Sequence, residues 1–137
     1  MPRKQQPQPS ETPTIGYIEE VVVVGTKARK SVLAKSDTGA TRTSIDARLA
    51  AEIGTGPIKD IVEIRSGSVK SGKSRPVVDV VVGIGATQYT VTASVEDRSH
   101  VDYPMLLGRD ILQNYQVDVR KRADRDEPAA RDDRSEE

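Results

Sequence analysis

The tetrad Asp37-Thr38-Gly39-Ala40 combines residue types that could form half of a catalytic site, and it occurs once in the 137-residue chain. The tetrad follows the strand-like segment 31–36, so the Asp37 carboxylate would lie at the end of a strand. Glycine lets a partner approach the backbone closely, and a threonine hydroxyl can bond to main chain and fix a loop. The same residues also suit an ordinary surface turn that Asp37 merely caps. Both interpretations predict a tight loop that presents one carboxylate.

A second motif, Leu106-Leu107-Gly108-Arg109-Asp110, ends an apolar strand-like segment about seventy residues further along. Together with the upstream tetrad it resembles the retropepsin-like aspartic peptidases. Within that group the chain is similar to the small prokaryotic branch often labelled RimK-related or "ATP-dependent zinc protease". The resemblance covers residues 15–119 and is carried by residues 36–40, 43–44, 71–77, 97–99 and 106–110.

The resemblance implies an aspartic endopeptidase on a small closed β-barrel with one or two short helices. Asp37 would be catalytic, with Thr38, Gly39 and Ala40 supporting its loop. A mobile hairpin over the substrate would include Ser66, Gly67, Ser71 and Gly72, and the site would be supported from below by Gly108, Arg109 and Asp110.

One position departs from the retroviral pattern. Retroviral members place an acid shortly after the tetrad, where it pairs with the arginine of the Gly-Arg motif, whereas this chain has Thr41-Arg42 there. Arg109 therefore needs another partner, for which Asp46 and Asp110 are the candidates. We also expect Asp110 to cap the helical turn that follows.

Peptide hydrolysis by carboxylates needs two of them sharing one proton, one acting as base towards water and the other as acid towards the carbonyl oxygen. Like charges about 3 Å apart cannot both ionise, so such a pair titrates as a coupled unit. This chain has one such loop, and bilobed relatives about twice as long carry two. The second Asp37 would therefore come from another copy across a two-fold axis, which predicts a homodimer.

Length and composition indicate one domain, at residues 15–119, between two tails. Residues 1–14 contain four of the eight prolines, and thirteen of the eighteen residues in 120–137 are charged. Such segments cannot offset the entropic cost of ordering a backbone, so both are predicted to be disordered. The core between them must be aliphatic, because the chain has no Phe and no Trp.

Charge and cysteine content exclude several classes. The formal net charge is zero, which argues against a general nucleic-acid or membrane-surface binder. There is no cysteine, so disulfides and thiolate metal sites are impossible. The longest aliphatic run, Val21 to Val24, is far too short to span a membrane, and no apolar segment follows Met1. These features predict a cytoplasmic protein whose partners are its own copy and a peptide or protein substrate.

Hydrophobic patterning is strand-like. We predict strands at 17–24, 31–36, 58–65, 77–84, 88–95, 105–107 and 117–119, a helix at 44–53, and a helical turn at 110–114. The helix would begin with Thr43 or Ser44 as its N-cap and end at Gly54. Six or seven short strands with one substantial helix favour a small β-barrel.

Two other ligand classes must be weighed. Residues 67–74 match the phosphate-loop pattern, but that loop needs a helix at its lysine, and Arg75-Pro76 and a β-branched run follow here. His100 is the single histidine and no His-Glu-x-x-His sequence exists, so zinc would be poorly held. We therefore predict no metal site and no cofactor.

Two alternatives remain open beside the peptidase: a non-catalytic dimeric peptide-binding module on the same fold, and a nucleotide-binding domain that uses residues 67–74.

Overall fold

A computed structural model describes residues 11–64 and 73–125 of the chain. Within those ranges the chain forms eight β-strands and two short α-helices. In order they are β1 (Thr14–Val24), β2 (Arg29–Ser36), β3 (Ser44–Asp46), α1 (Ala47–Ile53), β4 (Asp60–Ile64), β5 (Lys73–Ile84), β6 (Thr87–Glu96), β7 (Met105–Leu107), α2 (Arg109–Leu112) and β8 (Gln116–Arg122).

All eight strands belong to one sheet, in the order β4-β5-β6-β3-β7-β2-β1-β8. An additional antiparallel pairing between β1 and β5 closes six of them, β5-β6-β3-β7-β2-β1, into a barrel. The other two strands lie outside this ring: β4 pairs with β5, and β8 runs parallel to β1. The predicted all-β barrel with short helices is confirmed.

The barrel interior is filled by aliphatic side chains that alternate along the strands. In β5, for example, the buried residues Val78, Val80 and Val82 alternate with Asp79 and Val81, which remain partly exposed. This period of two places every second side chain on the core face of a strand. The largest side chains that are fully buried belong to Ile15, Ile18, Ile45, Ile53, Met105, Leu107 and Ile111.

The predicted helix at 44–53 begins three residues too early. Ser44–Asp46 forms β3 instead, because these residues pair with β6 on one side and with β7 on the other. Helix α1 starts at Ala47, and its N-cap is Asp46, whose carboxylate accepts hydrogen bonds from the amides of Arg48 and Leu49 at 3.0 and 3.3 Å. The predicted end is confirmed: Gly54 has a φ of 78° and its amide donates to the Ala50 carbonyl.

The predicted C-terminal tail also begins too early. Strand β8 continues through Arg122, and the Ala123 amide then donates to the Ile18 carbonyl of β1 at 2.9 Å. Asp124 accepts hydrogen bonds from the Tyr103 hydroxyl and from the Arg122 guanidinium. At the other end, Thr14 already belongs to β1. Thr14 and residues 120–124, which the sequence assigned to tails, therefore take part in the fold.

Candidate active site

The parallel pairing of β2 with β7 brings the two sequence motifs together. Its register joins Ser36 to Leu107, so the next residues, Asp37 and Gly108, leave the sheet at the same point. The Asp37 amide donates to the Leu107 carbonyl at 2.9 Å, which extends the ladder into the loop. On the other side, the buried Ser36 hydroxyl donates to the Gly16 carbonyl at 2.8 Å and holds the end of β2 against β1.

The Asp37 carboxylate is half-buried and is oriented by its own loop. Its Oδ1 atom accepts a hydrogen bond from the Gly39 amide at 2.9 Å, and the Ala40 amide donates to the Asp37 carbonyl at 3.1 Å. A Cβ atom at Gly39 would lie 3.3 Å from Oδ1, which is tighter than ordinary contact. Within the described residues Oδ2 has no hydrogen-bond partner, so the loop turns one oxygen inwards and leaves the other available.

Arg109 anchors this loop. The sequence predicted an acidic partner for it, but its partners in the loop are neutral. Its Nη1 donates to the Thr38 carbonyl at 3.0 Å, and its Nη2 donates to the Thr41 hydroxyl at 3.2 Å. The Arg109 amide donates to the Ala40 carbonyl at 2.8 Å. The expected pairing with Asp46 or Asp110 is wrong, because the Asp46 carboxylate caps α1 and accepts from the Arg98 amide, while Asp110 bonds elsewhere.

The sequence predicted that Asp110 caps α2, and this prediction is wrong. The N-cap of α2 is Gly108, which makes no side-chain cap bond. The two carboxylate oxygens of Asp110 instead accept from Thr43, one from its hydroxyl at 2.7 Å and the other from its amide at 3.0 Å. Sequence analysis used Thr43 for the family resemblance and as a possible helix cap, and it missed this contact. One sequence feature could have indicated it. Asp46, three residues before Leu49, is a better N-cap than Thr43, so the Thr43 hydroxyl is not needed as a cap and can bond elsewhere.

Gly108 lies directly against the backbone of the Asp37 loop. A Cβ atom there would come within 2.6 to 2.8 Å of the backbone N, C and O atoms of Arg42. Real Cβ atoms do not approach backbone so closely, so only glycine lets β7 and the loop pack at this distance. Residues 107–110 therefore contact the segment 37–43 at each of their four positions.

The remaining predicted features add no contact to this cluster within the described residues. The residues assigned to the substrate-covering hairpin, Ser66, Gly67, Ser71 and Gly72, fall outside the described ranges. Lys73 begins a strand, so no helix starts at the lysine of the phosphate-loop pattern. His100 is exposed in a turn. Over residues 11–64 and 73–125, no three His, Cys, Asp or Glu side chains are grouped so that they could hold a metal ion. In the same ranges no helix is long and apolar enough to cross a membrane.

Comparison with known proteins agrees with this arrangement. The model of the RimB-like family, described as "Retropepsin-like aspartic endopeptidase RimB", matches residues 52–128, more than half of the chain. The match includes the Gly108-Arg109-Asp110 motif, whereas the Asp37 tetrad lies before it. None of the curated proteins compared with the chain matches it.

Solved structures show the same fold. A protein of unknown function (DUF785) from Legionella pneumophila is 24% identical, with a TM-score of 0.55 over 80% of this chain and 95% of that one. The simian foamy virus protease is 17% identical, with a TM-score of 0.51 over 70% of this chain and 91% of that one. A foamy viral protease-reverse transcriptase is 15% identical, with a TM-score of 0.51 over 72% of this chain and 12% of that one.

At these identities the structural likeness concerns the fold alone, and the family rests on the sequence match over residues 52–128. The closed barrel and the loop that residues 107–110 hold are consistent with that match. The chain belongs to the RimB-like family of retropepsin-like aspartic endopeptidases.

Proposed function

We propose that this protein is an aspartic endopeptidase whose active site is formed by two Asp37 carboxylates, one from each subunit of a homodimer. The observation that carries the proposal is the geometry of the Asp37 loop. The loop is anchored by residues 107–110, yet Thr38 and Gly39 are exposed and Asp37 Oδ2 is unpaired within the described residues. A single carboxylate held in this way is half of a hydrolytic pair.

Two features of the single chain suit a two-fold dimer. The exposed Thr38-Gly39 tip has no bulky side chain at Gly39, so two loops can meet face to face across an axis. Strand β8 lies at one end of the sheet, with its outer edge unpaired among the described residues, and Val119 on it is 67% exposed. An unpaired strand edge with an exposed apolar residue is a template for pairing with another chain. We propose that β8 contributes to the same dimer interface.

In the proposed mechanism the two Asp37 carboxyl groups share one proton. The ionised group takes a proton from water, whose oxygen attacks the scissile carbonyl carbon. The protonated group donates its proton to the carbonyl oxygen, and a tetrahedral intermediate forms. Collapse of this intermediate breaks the C–N bond: the amine nitrogen receives the proton that the first carboxyl group took from water, and a hydroxyl of the intermediate gives a proton to the other carboxylate. The bond from Gly39 to Oδ1 would fix which oxygen faces the water.

The substrate class we propose is an extended peptide. The arms of the β4–β5 hairpin carry the segment that the sequence assigns to a substrate-covering flap, and backbone hydrogen bonds from such a hairpin can pair with an extended chain. Closing it over the site would also exclude water.

The decisive experiment compares wild type with Asp37→Asn on a mixed peptide library between pH 3 and 8. The variant keeps the shape of the side chain and removes only its acid–base chemistry, so hydrolysis should disappear while the fold and the dimer persist. Statine-type mimics of the tetrahedral intermediate should inhibit wild type, and EDTA should not. Wild-type turnover in Asp37→Asn would rule out the proposed role of Asp37.

A non-catalytic peptide-binding module on the same fold is the second candidate. It is favoured by one observation: Thr41 stands where retroviral members carry an acid, so Arg109 lacks a charged partner in the loop. This candidate predicts that wild type and Asp37→Asn bind library peptides equally and that neither cleaves them.

A further inference from the structure

Thr43 connects three parts of the barrel through four hydrogen bonds, although its side chain is completely buried. Its hydroxyl donates to Asp110 Oδ1 at 2.7 Å and accepts from the Gly108 amide at 3.2 Å. Its amide donates to Asp110 Oδ2 at 3.0 Å, and its carbonyl accepts from the Ser94 amide at 3.0 Å. One residue thereby ties the end of the Asp37 loop to α2, to Gly108 between β7 and α2, and to β6.

We propose that Thr43 and Asp110 form a positioning pair that fixes where the Asp37 carboxylate stands relative to the barrel. Arg109 holds the exposed part of the loop at Thr38 and Thr41. The Thr43–Asp110 pair holds the inner end of the loop, where Thr43 is buried and Asp110 is partly buried. The catalytic consequence of this pair rests on the function proposed above, whereas the anchoring itself does not.

The hydrogen bonds of the pair depend on a carboxylate at position 110 and a hydroxyl at position 43. Both Asp110 oxygens accept from donors on Thr43, which suits a carboxylate because it is an acceptor at either oxygen. Asp110→Asn would place an NH₂ donor at one of these positions, so that the Thr43 hydroxyl would have to accept where it now donates. The Thr43 hydroxyl acts as donor and acceptor at once, so valine, which has the same shape, would leave the Gly108 amide and one Asp110 oxygen unpaired.

A shift of this anchor would act on a coupled carboxyl pair. If the two Asp37 groups of a dimer move apart, the repulsion between their charges weakens, and this repulsion is what separates the acidic and basic limbs of the pH profile. The bell-shaped pH profile of kcat/KM should then become narrower. A variant that only lowers the fraction of folded protein would reduce kcat/KM at every pH and leave the shape of the profile unchanged.

The test uses Thr43→Val, Thr43→Ser and a matched control, Thr92→Val. Thr92 also donates its hydroxyl to a carboxylate, Asp79 Oδ1 at 2.9 Å, in a pair that bridges β6 and β5. Its main-chain carbonyl accepts from Arg42 Nη1 at 3.3 Å, and Thr92→Val keeps that carbonyl. With the peptide that wild type cleaves best from a mixed library, Thr43→Val should lower kcat by about 10- to 100-fold and narrow the pH profile, because small misplacements of reacting groups carry costs of this size. Thr43→Ser should restore most of the activity, and Thr92→Val should retain wild-type kcat.

Hydrogen exchange provides a readout that needs no activity. The amides of Asp37 and Arg109 bond across the loop, to the carbonyls of Leu107 and Ala40. Both should exchange faster in Thr43→Val than in Thr92→Val, at conditions where each variant remains folded. Unchanged exchange in Thr43→Val, or a wild-type pH profile in an active enzyme, would overturn the positioning role. If wild type cleaves no peptide, the proposed function fails, while the exchange measurement still decides whether Thr43 anchors the loop.

Discussion

The Arg109 guanidinium reaches back over 71 positions of sequence to the Thr38 main-chain carbonyl, with 3.0 Å between Nη1 and the carbonyl oxygen. Its second branch bonds to the Thr41 hydroxyl, a neutral acceptor. Arg109 thus holds the Asp37 loop with donors directed at a peptide carbonyl and a hydroxyl. The charge of this exposed guanidinium meets no carboxylate in the loop, which creates a testable difference from proteases with an acid at this place.

Replacing that hydroxyl by a carboxylate should strengthen the anchor. Thr41→Asp would place a negative charge beside Arg109 Nη2 on the surface, where such pairs contribute about 0–1 kcal/mol to the free energy of unfolding. The Tm should therefore rise slightly, and the gain should shrink in high salt. Thr41→Asn, which has the same shape without the charge, should show no salt-dependent gain. Equal behaviour of the two variants would mean that Arg109 does not sense the charge at position 41.

Gly108→Ala should destabilise the barrel. The new Cβ would meet the Arg42 backbone at 2.6 to 2.8 Å, and that backbone belongs to the Asp37 loop and cannot move aside without displacing it. Overpacking of this kind costs about 1–3 kcal/mol, so thermal unfolding should show a Tm several degrees lower. Gly83→Ala is the matched control, because its Cβ would meet its nearest neighbour at 3.7 Å, an ordinary contact. The same loss in both variants would show that the close approach at Gly108 has no special cost.

Activity should require two chains. Specific activity should fall on dilution below the dimer Kd, and adding Asp37→Asn protein should suppress wild type because mixed dimers hold one native carboxylate. With a threefold excess of the variant and free subunit exchange, activity per wild-type chain should drop to about one quarter. A protein that remains fully active as a verified monomer would contradict the shared pair.

The proposed interface has its own test. Val119→Asp places a charge on the free edge of β8 and should weaken the dimer in sedimentation experiments. Val101→Asp is the control, since Val101 is also an exposed apolar residue, at 43%, but lies in a loop between β6 and β7. If the two variants dimerise equally well, β8 does not contribute to the interface.

Trimming should test the contacts that the structure describes near the two ends of the fold. A chain of residues 11–125 should keep the wild-type Tm, whereas residues 15–123 should melt lower. The shorter chain loses the Pro13 carbonyl that accepts from the Gln116 amide, and it also loses Asp124. Hydrogen bonds from Arg122 and then from Tyr103 lower the pKa of Asp124 from 3.8 to about 2. Because the folded pKa is depressed, this contribution is present above pH 3.8 and is lost as the pH falls towards 2.

The difference between the two chains should accordingly shrink at low pH. The measurement compares the Tm values of the two chains at pH 6 and at pH 2.5. A general effect of salt or buffer would change both Tm values alike and leave their difference unchanged. If 15–123 matches 11–125 at pH 6, the contacts at the two ends contribute nothing measurable.

Sequence by itself determined the features that depend on local pattern. Alternating β-branched residues identified the β1–β2 and β5–β6 hairpins, and the apolar run before Gly108 predicted β7 with its observed bounds, Met105–Leu107. Glycine marked the end of α1 at Gly54. The two motifs indicated a retropepsin-like barrel, which the family match and the fold confirm. The strand, hairpin and helix-end signals each lie within a few residues of the structure they predict, whereas the barrel was predicted from the family resemblance of the two motifs.

Only the tertiary structure decided which polar groups meet. Strand β3 exists because β6 and β7 flank it, although its three residues have no strand pattern of their own. Arg109 bonds to Thr38 and Thr41, and Asp110 bonds to Thr43, across 67 to 71 positions of sequence. A carboxylate or guanidinium can satisfy its hydrogen bonds with many partners, so its residue type does not specify one. The packing of β2 beside β7 brings these atoms within reach, and that packing depends on the whole barrel.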